Sequence, residues 1–186
     1  MEGGNEFTIR RQIILVGDSI TEQGTAPYGL TTLLADRYRR KADIVNRGYS
    51  GYNSRHMLDL VSNHKAAGAW KFSGLFIVWL GANDASKPHP DESANQHVPL
   101  IHFRENLQTL VQLLSEGGKH PILLLSPPPI DDVSYNKARA HTESFGLRNF
   151  ETTSSYAAMV AELGLQMHCP VLDVFSNFAN QNDWRR

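Results

Sequence analysis

Five short apolar runs, separated by longer segments of mixed polarity, constrain the fold of this chain most. They occupy residues 13–16, 44–46, 75–80, 121–126 and 171–174. The run at 75–80 contains no polar side chain, which is typical of a central strand covered on both faces. Between the runs, apolar residues recur at helical spacing, most clearly from Leu100 to Leu114. Alternating strands and helices predict a single α/β domain, residues 1–186, with a parallel sheet between two helical layers.

Three segments between these runs carry more specific expectations. Residues 86–99 hold three prolines and few apolar side chains, which indicates a long loop near the strand ends. Residues 131–148 have weak periodicity, and we interpret them as a loop that leads into a helix. Gly164 is predicted to end that helix, and Ser54 to cap the helix that follows the second strand.

Composition and charge exclude several classes of protein. A net charge of −1 argues against a nucleic-acid-binding or anionic-membrane surface. Cys169 is the single cysteine, so no internal disulfide can form. Residues 1–12 have no long apolar core, and no later run is long enough to span a bilayer. We therefore expect no signal peptide, no integral membrane contact and a cytoplasmic location; the oligomeric state is not indicated.

The first apolar run stops at Gly17-Asp18-Ser19, a turn with two interpretations. Asp and Ser side chains often end a strand and cap the following helix, a purely structural role. The same turn also places a serine hydroxyl at the carboxyl end of a strand, where open α/β sheets bind their ligands. Ser19 is therefore a candidate for chemistry, although this short motif alone favours the structural role.

Two further polar loops support a catalytic role for Ser19. Gly51 lies in the loop after the second strand, and Asn83 in the loop after the third. Acyl transfer requires a nucleophilic oxygen and at least two hydrogen-bond donors directed at the developing oxyanion. The backbone N–H groups of Ser19 and Gly51 and the side-chain amide of Asn83 are suitable donors.

Several ordered blocks of the sequence resemble those of the SGNH, or GDSL-type, hydrolases, and most closely the isoamyl acetate-hydrolysing esterases and their plant GDSL relatives. The first three blocks are Gly17-Asp18-Ser19-Ile20-Thr21-Glu22, Arg47-Gly48-Tyr49-Ser50-Gly51-Tyr52-Asn53 and Leu80-Gly81-Ala82-Asn83-Asp84. Gln96-His97-Val98-Pro99-Leu100 and Ser126-Pro127-Pro128-Pro129 are also similar to that group. Three blocks in the right order on one α/β pattern are far more specific than one motif.

The resemblance implies a flavodoxin-like three-layer α/β/α fold with a five-stranded parallel sheet. It implies a serine esterase that cleaves small, acetyl or short-acyl esters through an acyl-enzyme on Ser19, with Gly51 and Asn83 in the oxyanion hole. It implies neither a cofactor nor a metal, and its expected partner is a small-molecule ester. Asp18, Tyr52 and Pro128 are candidate substrate-binding residues, and Trp79 and the loop at 127–130 are further candidates for the lining of the site.

One block of the family is missing from these residues. SGNH hydrolases end with Asp-x-x-His, in which the histidine is the general base and the aspartate orients it; here Asp173 is followed three positions later by Ser176, and Asp183 by Arg186. We therefore expect a chain truncated at its carboxyl terminus and lacking the last helix of the fold. Four histidines are candidates for a replacement base, and a solvated or structural role explains each of them better: His56, His89, His97 and His141.

Two alternatives remain open at this point. The missing base supports, as the alternative to the serine esterase, a catalytically impaired SGNH-like binding or regulatory domain, or a truncated isoform. A flavodoxin-like nucleotide or phosphate binder ranks last, because no glycine-rich phosphate-binding signature is present.

Overall fold

A five-stranded, wholly parallel sheet forms the centre of the molecule. The structure, a computed structural model, describes residues 10–67, 74–92, 94–140, 146–181 and 184. The strands are β1 (Arg11–Gly17), β2 (Ala42–Gly48), β3 (Gly74–Trp79), β4 (Ile122–Leu125) and β5 (Val171–Leu172). Their order across the sheet is β2-β1-β3-β4-β5. The predicted parallel sheet is thus confirmed.

Helices cover both faces of this sheet, as the continuous apolar strands predict. In chain order they are α1 (Ser19–Glu22), a 3₁₀ turn (Gln23–Thr25), α2 (Leu30–Arg37), α3 (Ser54–Ala66), α4 (Leu100–Ser115), α5 (Asp132–Arg139), α6 (Phe150–Gln166) and α7 (Val174–Ala179). On one face, Ile14, Val16 and Val78 share a core with side chains of α3, α4 and α6. On the other, Ile13 and Leu15 pack with side chains of α2 and α7. The three-layer α/β/α architecture follows from these two cores.

The sheet reverses its direction of growth at β1. The chain places β2 on one side of β1 and then β3 on the other, so the connections diverge between β1 and β3. Gly17, at the end of β1, lies opposite Gly48 of β2 and Trp79 of β3. The loops that follow these strands therefore leave the sheet at one level, at a switch point of the kind where open α/β sheets bind ligands.

The weakly periodic segment and the helix caps differ from expectation. Residues 132–139 form a separate helix, α5, which ends before α6 begins. Asn53, not Ser54, caps α3, because its side chain accepts a hydrogen bond from the backbone N–H of His56 at 3.0 Å. The long loop at residues 86–99 is confirmed: its described residues form neither helix nor strand. Across the described ranges, no helix has the length and hydrophobicity needed to cross a bilayer.

Gly164 does not end its helix, contrary to expectation. It lies inside α6, which continues to Gln166, and it is buried against β5. A Cβ atom at this position would lie 2.1 Å from Cγ2 of Val171 and 3.1 Å from the carbonyl oxygen of Cys169. The glycine thus permits close packing between helix and strand, a tertiary requirement that local sequence cannot distinguish from a helix stop.

Substitution of Gly164 by alanine should lower the free energy of unfolding. Overpacking of this kind costs about 1–3 kcal/mol, whereas alanine gains only about 1 kcal/mol over glycine in helix propensity. Urea unfolding of Gly164→Ala measures the net effect. In a Val171→Ala background the obstructing methyl group is gone, and the substitution should become neutral or stabilising. An equal loss in both backgrounds would contradict the contact.

Candidate active site

Ser19 is the first residue of α1, immediately beyond the end of β1. Asp18, which is 2% exposed, caps this helix, because its carboxylate accepts a hydrogen bond from the N–H of Ile20 at 2.9 Å. Ser19 itself is only partly buried. The two interpretations of the turn therefore apply to different residues: Asp18 has the structural role, and Ser19 remains accessible.

Ser19 faces a cavity of about 310 Å³ at the carboxyl ends of the strands. The cavity is lined by Ser19, Ile20, Gln23, Ala82, Asn83, Pro128, Pro129, Ile130, Tyr135, Arg139, Arg148 and Thr153. Three of the predicted site residues, Ser19, Asn83 and Pro128, are thus brought together. Pro129 and Ile130, from the loop suggested as lining, belong to the same wall.

Asn83 connects this cavity to the loop that contains Gly51. Asn83 is 5% exposed, and its Nδ2 donates a hydrogen bond to the carbonyl oxygen of Tyr52 at 2.7 Å. Gly51 directly precedes Tyr52 and has a φ of +82°. The carbonyl oxygen of Gly51 accepts a hydrogen bond from Nε2 of Gln96 at 3.3 Å. The loops after β2 and β3 are therefore in direct contact beside the cavity.

The aromatic side chains of Tyr52 and Trp79 are not among the described residues that line the cavity. The Tyr52 ring stacks on Tyr49 with 5.1 Å between ring centroids, and both rings pack on the larger core. The Trp79 indole N–H donates to the carbonyl oxygen of Ser126 at 3.0 Å. Tyr52 meets the site through its backbone carbonyl instead.

Arg148 is a site residue that sequence reasoning missed. Its side chain reaches the loop after β3, where Nη2 donates to Oδ1 of Asn83 at 2.8 Å and Nη1 donates to the carbonyl oxygen of Ala82. Nη2 also lies 3.3 Å from Oε1 of Gln96. Arg148 lies in the weakly periodic segment, so no local pattern pointed to it; an arginine that is 9% exposed is notable only once burial is known.

Two buried carboxyl groups lie close to this arginine. The pKa of Asp18 is raised from 3.8 to about 7, chiefly by burial and in smaller part by the nearby Asp84 carboxylate, against the lowering effect of the Ile20 N–H and of Arg148. Burial likewise raises the pKa of Asp84 to about 6, opposed by hydrogen bonds from Ser54 and by Arg148. Desolvation dominates in both groups because each lies in the protein interior.

The histidines considered as a base do not line the cavity, as far as the described residues extend. His97 Nδ1 lies 2.7 Å from the carbonyl oxygen of Ser86, and His56 takes part in the cap of α3. His89 contacts the backbone of its own loop at Asp91, and His141 lies outside the described residues. The same part of the chain contains no group of three His, Cys, Asp or Glu side chains that could hold a metal ion.

The raised pKa of Asp18 predicts a stability that falls as pH rises. The unfolded chain ionises Asp18 near pH 3.8, whereas the folded chain keeps the proton to about pH 7, so the folded state binds more protons between these values. Asp18→Asn removes this dependence and keeps an oxygen for the Ile20 N–H. The free energy of unfolding of the variant, relative to wild type, should increase by roughly 2–4 kcal/mol from pH 4 to pH 7 and then level off.

Urea unfolding across this pH range measures the effect, and Asp18→Ala is the matched variant. It should show the same pH trend with an additional, pH-independent loss of about 1 kcal/mol for the missing cap. A difference from wild type that does not vary with pH in either variant would contradict the assignment.

Comparison with known proteins agrees with this architecture. Residues 15–186 match the GDSL-like Lipase/Acylhydrolase family. The chain is 32% identical over 179 residues to GDSL esterase/lipase CPRD49 of Arabidopsis thaliana, which covers 95% of this chain and 69% of the relative. It is 37% identical over 129 residues to an isoamyl acetate-hydrolyzing esterase 1 homolog of Rattus norvegicus, covering 68% of this chain and 51% of that protein.

A solved structure shows the same fold. The lipase/acylhydrolase from Enterococcus faecalis superposes with a TM-score of 0.66 at 24% sequence identity, over 92% of this chain and 80% of that chain. The resemblance to SGNH hydrolases, including the isoamyl acetate-hydrolysing and plant groups, is thus confirmed. The chain belongs to the GDSL-like lipase/acylhydrolase family and is a carboxylic ester hydrolase of the GDSL type.

Proposed function

We propose that the chain cleaves small carboxylic esters through an acyl-enzyme formed on Ser19. The observation that carries the proposal is the cavity shared by Ser19 and Asn83, which come from loops after two adjacent strands. The loop with Gly51 touches the same asparagine. A nucleophile and its oxyanion donors need this convergence, because the tetrahedral intermediate places its oxygen within hydrogen-bond distance of all donors at once.

The proposed reaction begins with attack of Ser19 Oγ on the ester carbonyl carbon. The Oγ proton passes to a base and then to the departing alcohol, which leaves an acyl group on Ser19, and water releases the acid in a second step. The oxyanion receives hydrogen bonds from the N–H groups of Ser19 and Gly51 and from Nδ2 of Asn83. An amide nitrogen carries two hydrogens, and the bond to Tyr52 uses one of them.

Cavity size and lining support short acyl or alkyl groups as substrates. A volume of about 310 Å³ is at the lower end for small-molecule sites. Pro128, Pro129 and Ile130 supply an apolar wall that suits a few methylene groups. The name of the rat relative, an isoamyl acetate-hydrolyzing esterase homolog, points to the same class of ester. The expectations of a small-molecule partner, no nucleic acid and a cytoplasmic location complete this proposal.

The described residues that line the cavity include no histidine that could act as the general base for Ser19. A serine hydroxyl is a weak nucleophile, and loss of a triad base typically costs several orders of magnitude in rate. Binding and oxyanion stabilisation alone still accelerate such reactions by about 10³–10⁴-fold over water. Activated reagents therefore report on Ser19 and its donors separately from the base.

Ser19→Ala should abolish covalent labelling by an alkyl p-nitrophenyl phosphonate and the hydrolysis of p-nitrophenyl acetate. In the labelling reaction, Oγ forms the bond to phosphorus, its proton passes to solvent and p-nitrophenolate leaves; mass spectrometry locates the adduct. Ser155→Ala is the matched control, because Ser155 is exposed on α6 and does not line the cavity. Labelling and turnover that survive in Ser19→Ala would refute the proposal. Ester binding without Ser19 modification would support the binding-domain alternative.

Asn83→Ala should slow phosphonylation of Ser19 by about 10²–10³-fold, since removal of one oxyanion donor typically has this effect. The phosphonate oxygen occupies the oxyanion position, so the loss should appear in the maximal rate constant of labelling. Asn63→Ala is the asparagine control, because Asn63 is exposed on α3 and does not line the cavity, and its labelling rate should equal that of wild type. Equal rates for Asn83→Ala and wild type would remove Asn83 from the oxyanion hole.

A further inference from the structure

We propose that Arg148 is a positioning residue, which fixes the side-chain amide of Asn83 in the one orientation that serves the oxyanion. The inference rests on the proposed function, because it assigns Arg148 a task only if Asn83 is an oxyanion donor. Arg148 is separated from Asn83 by 65 positions in sequence and is placed beside it by the fold.

The orientation of the Asn83 amide is decided by which partner faces each end. A guanidinium group can only donate hydrogen bonds, so the end of Asn83 that faces Arg148 Nη2 at 2.8 Å must be the oxygen. The nitrogen then faces the opposite way, toward the carbonyl oxygen of Tyr52 at 2.7 Å. A flipped amide would bring donor against donor at Arg148 and acceptor against acceptor at Tyr52. Arg148 and Tyr52 together therefore select one of two otherwise similar orientations.

The same guanidinium connects the two loops that carry the proposed donors. Beyond Asn83, it donates to the carbonyl oxygen of Ala82, and it lies 3.3 Å from Oε1 of Gln96. The other end of the Gln96 side chain, Nε2, donates to the carbonyl oxygen of Gly51 at 3.3 Å. Displacement of Arg148 would therefore loosen the Asn83 amide and the support of the Gly51 loop together.

Arg148 is itself held in place, as a positioning residue must be. The Asn136 side chain makes two reciprocal bonds to its backbone: Nδ2 donates to the Arg148 carbonyl oxygen at 2.8 Å, and Oδ1 accepts from the Arg148 N–H at 2.9 Å. The guanidinium carbon lies 5.8 Å from the centroid of the Tyr135 ring. Next to it, the Leu147 carbonyl oxygen accepts from the N–H of Lys87 at 2.8 Å. Backbone and side chain are thus both anchored.

Phosphonylation kinetics test this assignment. The alkyl p-nitrophenyl phosphonate described above is used on the full chain, with separate determination of the inactivation constant KI and the maximal rate constant kinact. Arg148→Met keeps the length of the side chain without its donors, and should lower kinact about 10–100-fold with KI changed less than about threefold, because the oxyanion contacts form only in the transition state. Arg148→Lys should recover part of the loss, since one ammonium group cannot reproduce the planar fork.

Two controls separate positioning from general support of the fold. Arg104→Met removes a guanidinium from α4, where it donates to Gln166 at 2.6 Å, and should leave kinact unchanged. In an Asn83→Ala background, Arg148→Met should cost clearly less than in wild type, because the amide that Arg148 orients is already absent and only the support of the Gly51 loop through Gln96 remains to be lost. A merely structural role would instead give the same loss in both backgrounds and would raise KI as well.

Each outcome bears on the inference in a distinct way. Loss of kinact that depends on Asn83, with partial recovery by lysine, supports it. Wild-type labelling at Ser19 together with unchanged kinact in Arg148→Met overturns it and leaves the proposed function intact. If Arg148→Met does not fold, Arg148→Lys in the two backgrounds decides the same question. Absence of Ser19 labelling in the wild-type chain overturns the inference and the proposed function together.

Discussion

Strand β1 is paired along both edges, and this double pairing determines where the site can form. Gly17, its last residue, lies level with Gly48 on one side and Trp79 on the other. Three successive loops therefore leave the sheet from neighbouring positions, although Ser19 and Asn83 are 64 positions apart along the chain. Close packing at this level also depends on Gly48, since a Cβ atom there would lie 2.1 Å from the backbone nitrogen of Glu22 in α1. The helix that carries Ser19 can cross the end of β2 only because that side chain is absent.

The features that the sequence predicts well are those with a local physical cause. Apolar runs buried on both faces indicate strands wherever they occur, and the helical spacing at α4 matches the observed Leu100–Ser115. Polar residues immediately after such runs must lie at the carboxyl edge of a parallel sheet. Ser19 and Asn83 could therefore be placed near each other from their positions alone, before any contact between their loops was known.

The features that the sequence predicts poorly depend on contacts with residues distant in the chain. Gly164 has the local appearance of a helix stop, yet its role is set by Val171 packing against it. The aromatic side chain of Tyr52 suggests a residue that lines a pocket. In the structure its ring stacks on Tyr49, and its carbonyl oxygen accepts the hydrogen bond from Asn83. Arg148 lies in a segment of weak periodicity, and its role depends on hydrogen-bond acceptors in another loop. Periodicity and propensity contain no term for such contacts.

The buried polar side chains beside the cavity hold the loops after β1, β2 and β3 in fixed positions, at a cost in stability. Asp84, fully buried beside Asn83, accepts a hydrogen bond from the backbone N–H of Ser54 at 2.9 Å, while Asn83 donates to Tyr52. Two adjacent residues of the loop after β3 thus grip the loop after β2 on either side of Asn53. Asp18 restrains α1 in the same manner through Ile20. Burial disfavours the ionised form of both carboxyl groups. Apolar side chains of equal size at these positions would carry no such desolvation penalty on folding. Apolar contacts, however, have no preferred direction, and only hydrogen bonds can aim an N–H group at a fixed point in the cavity.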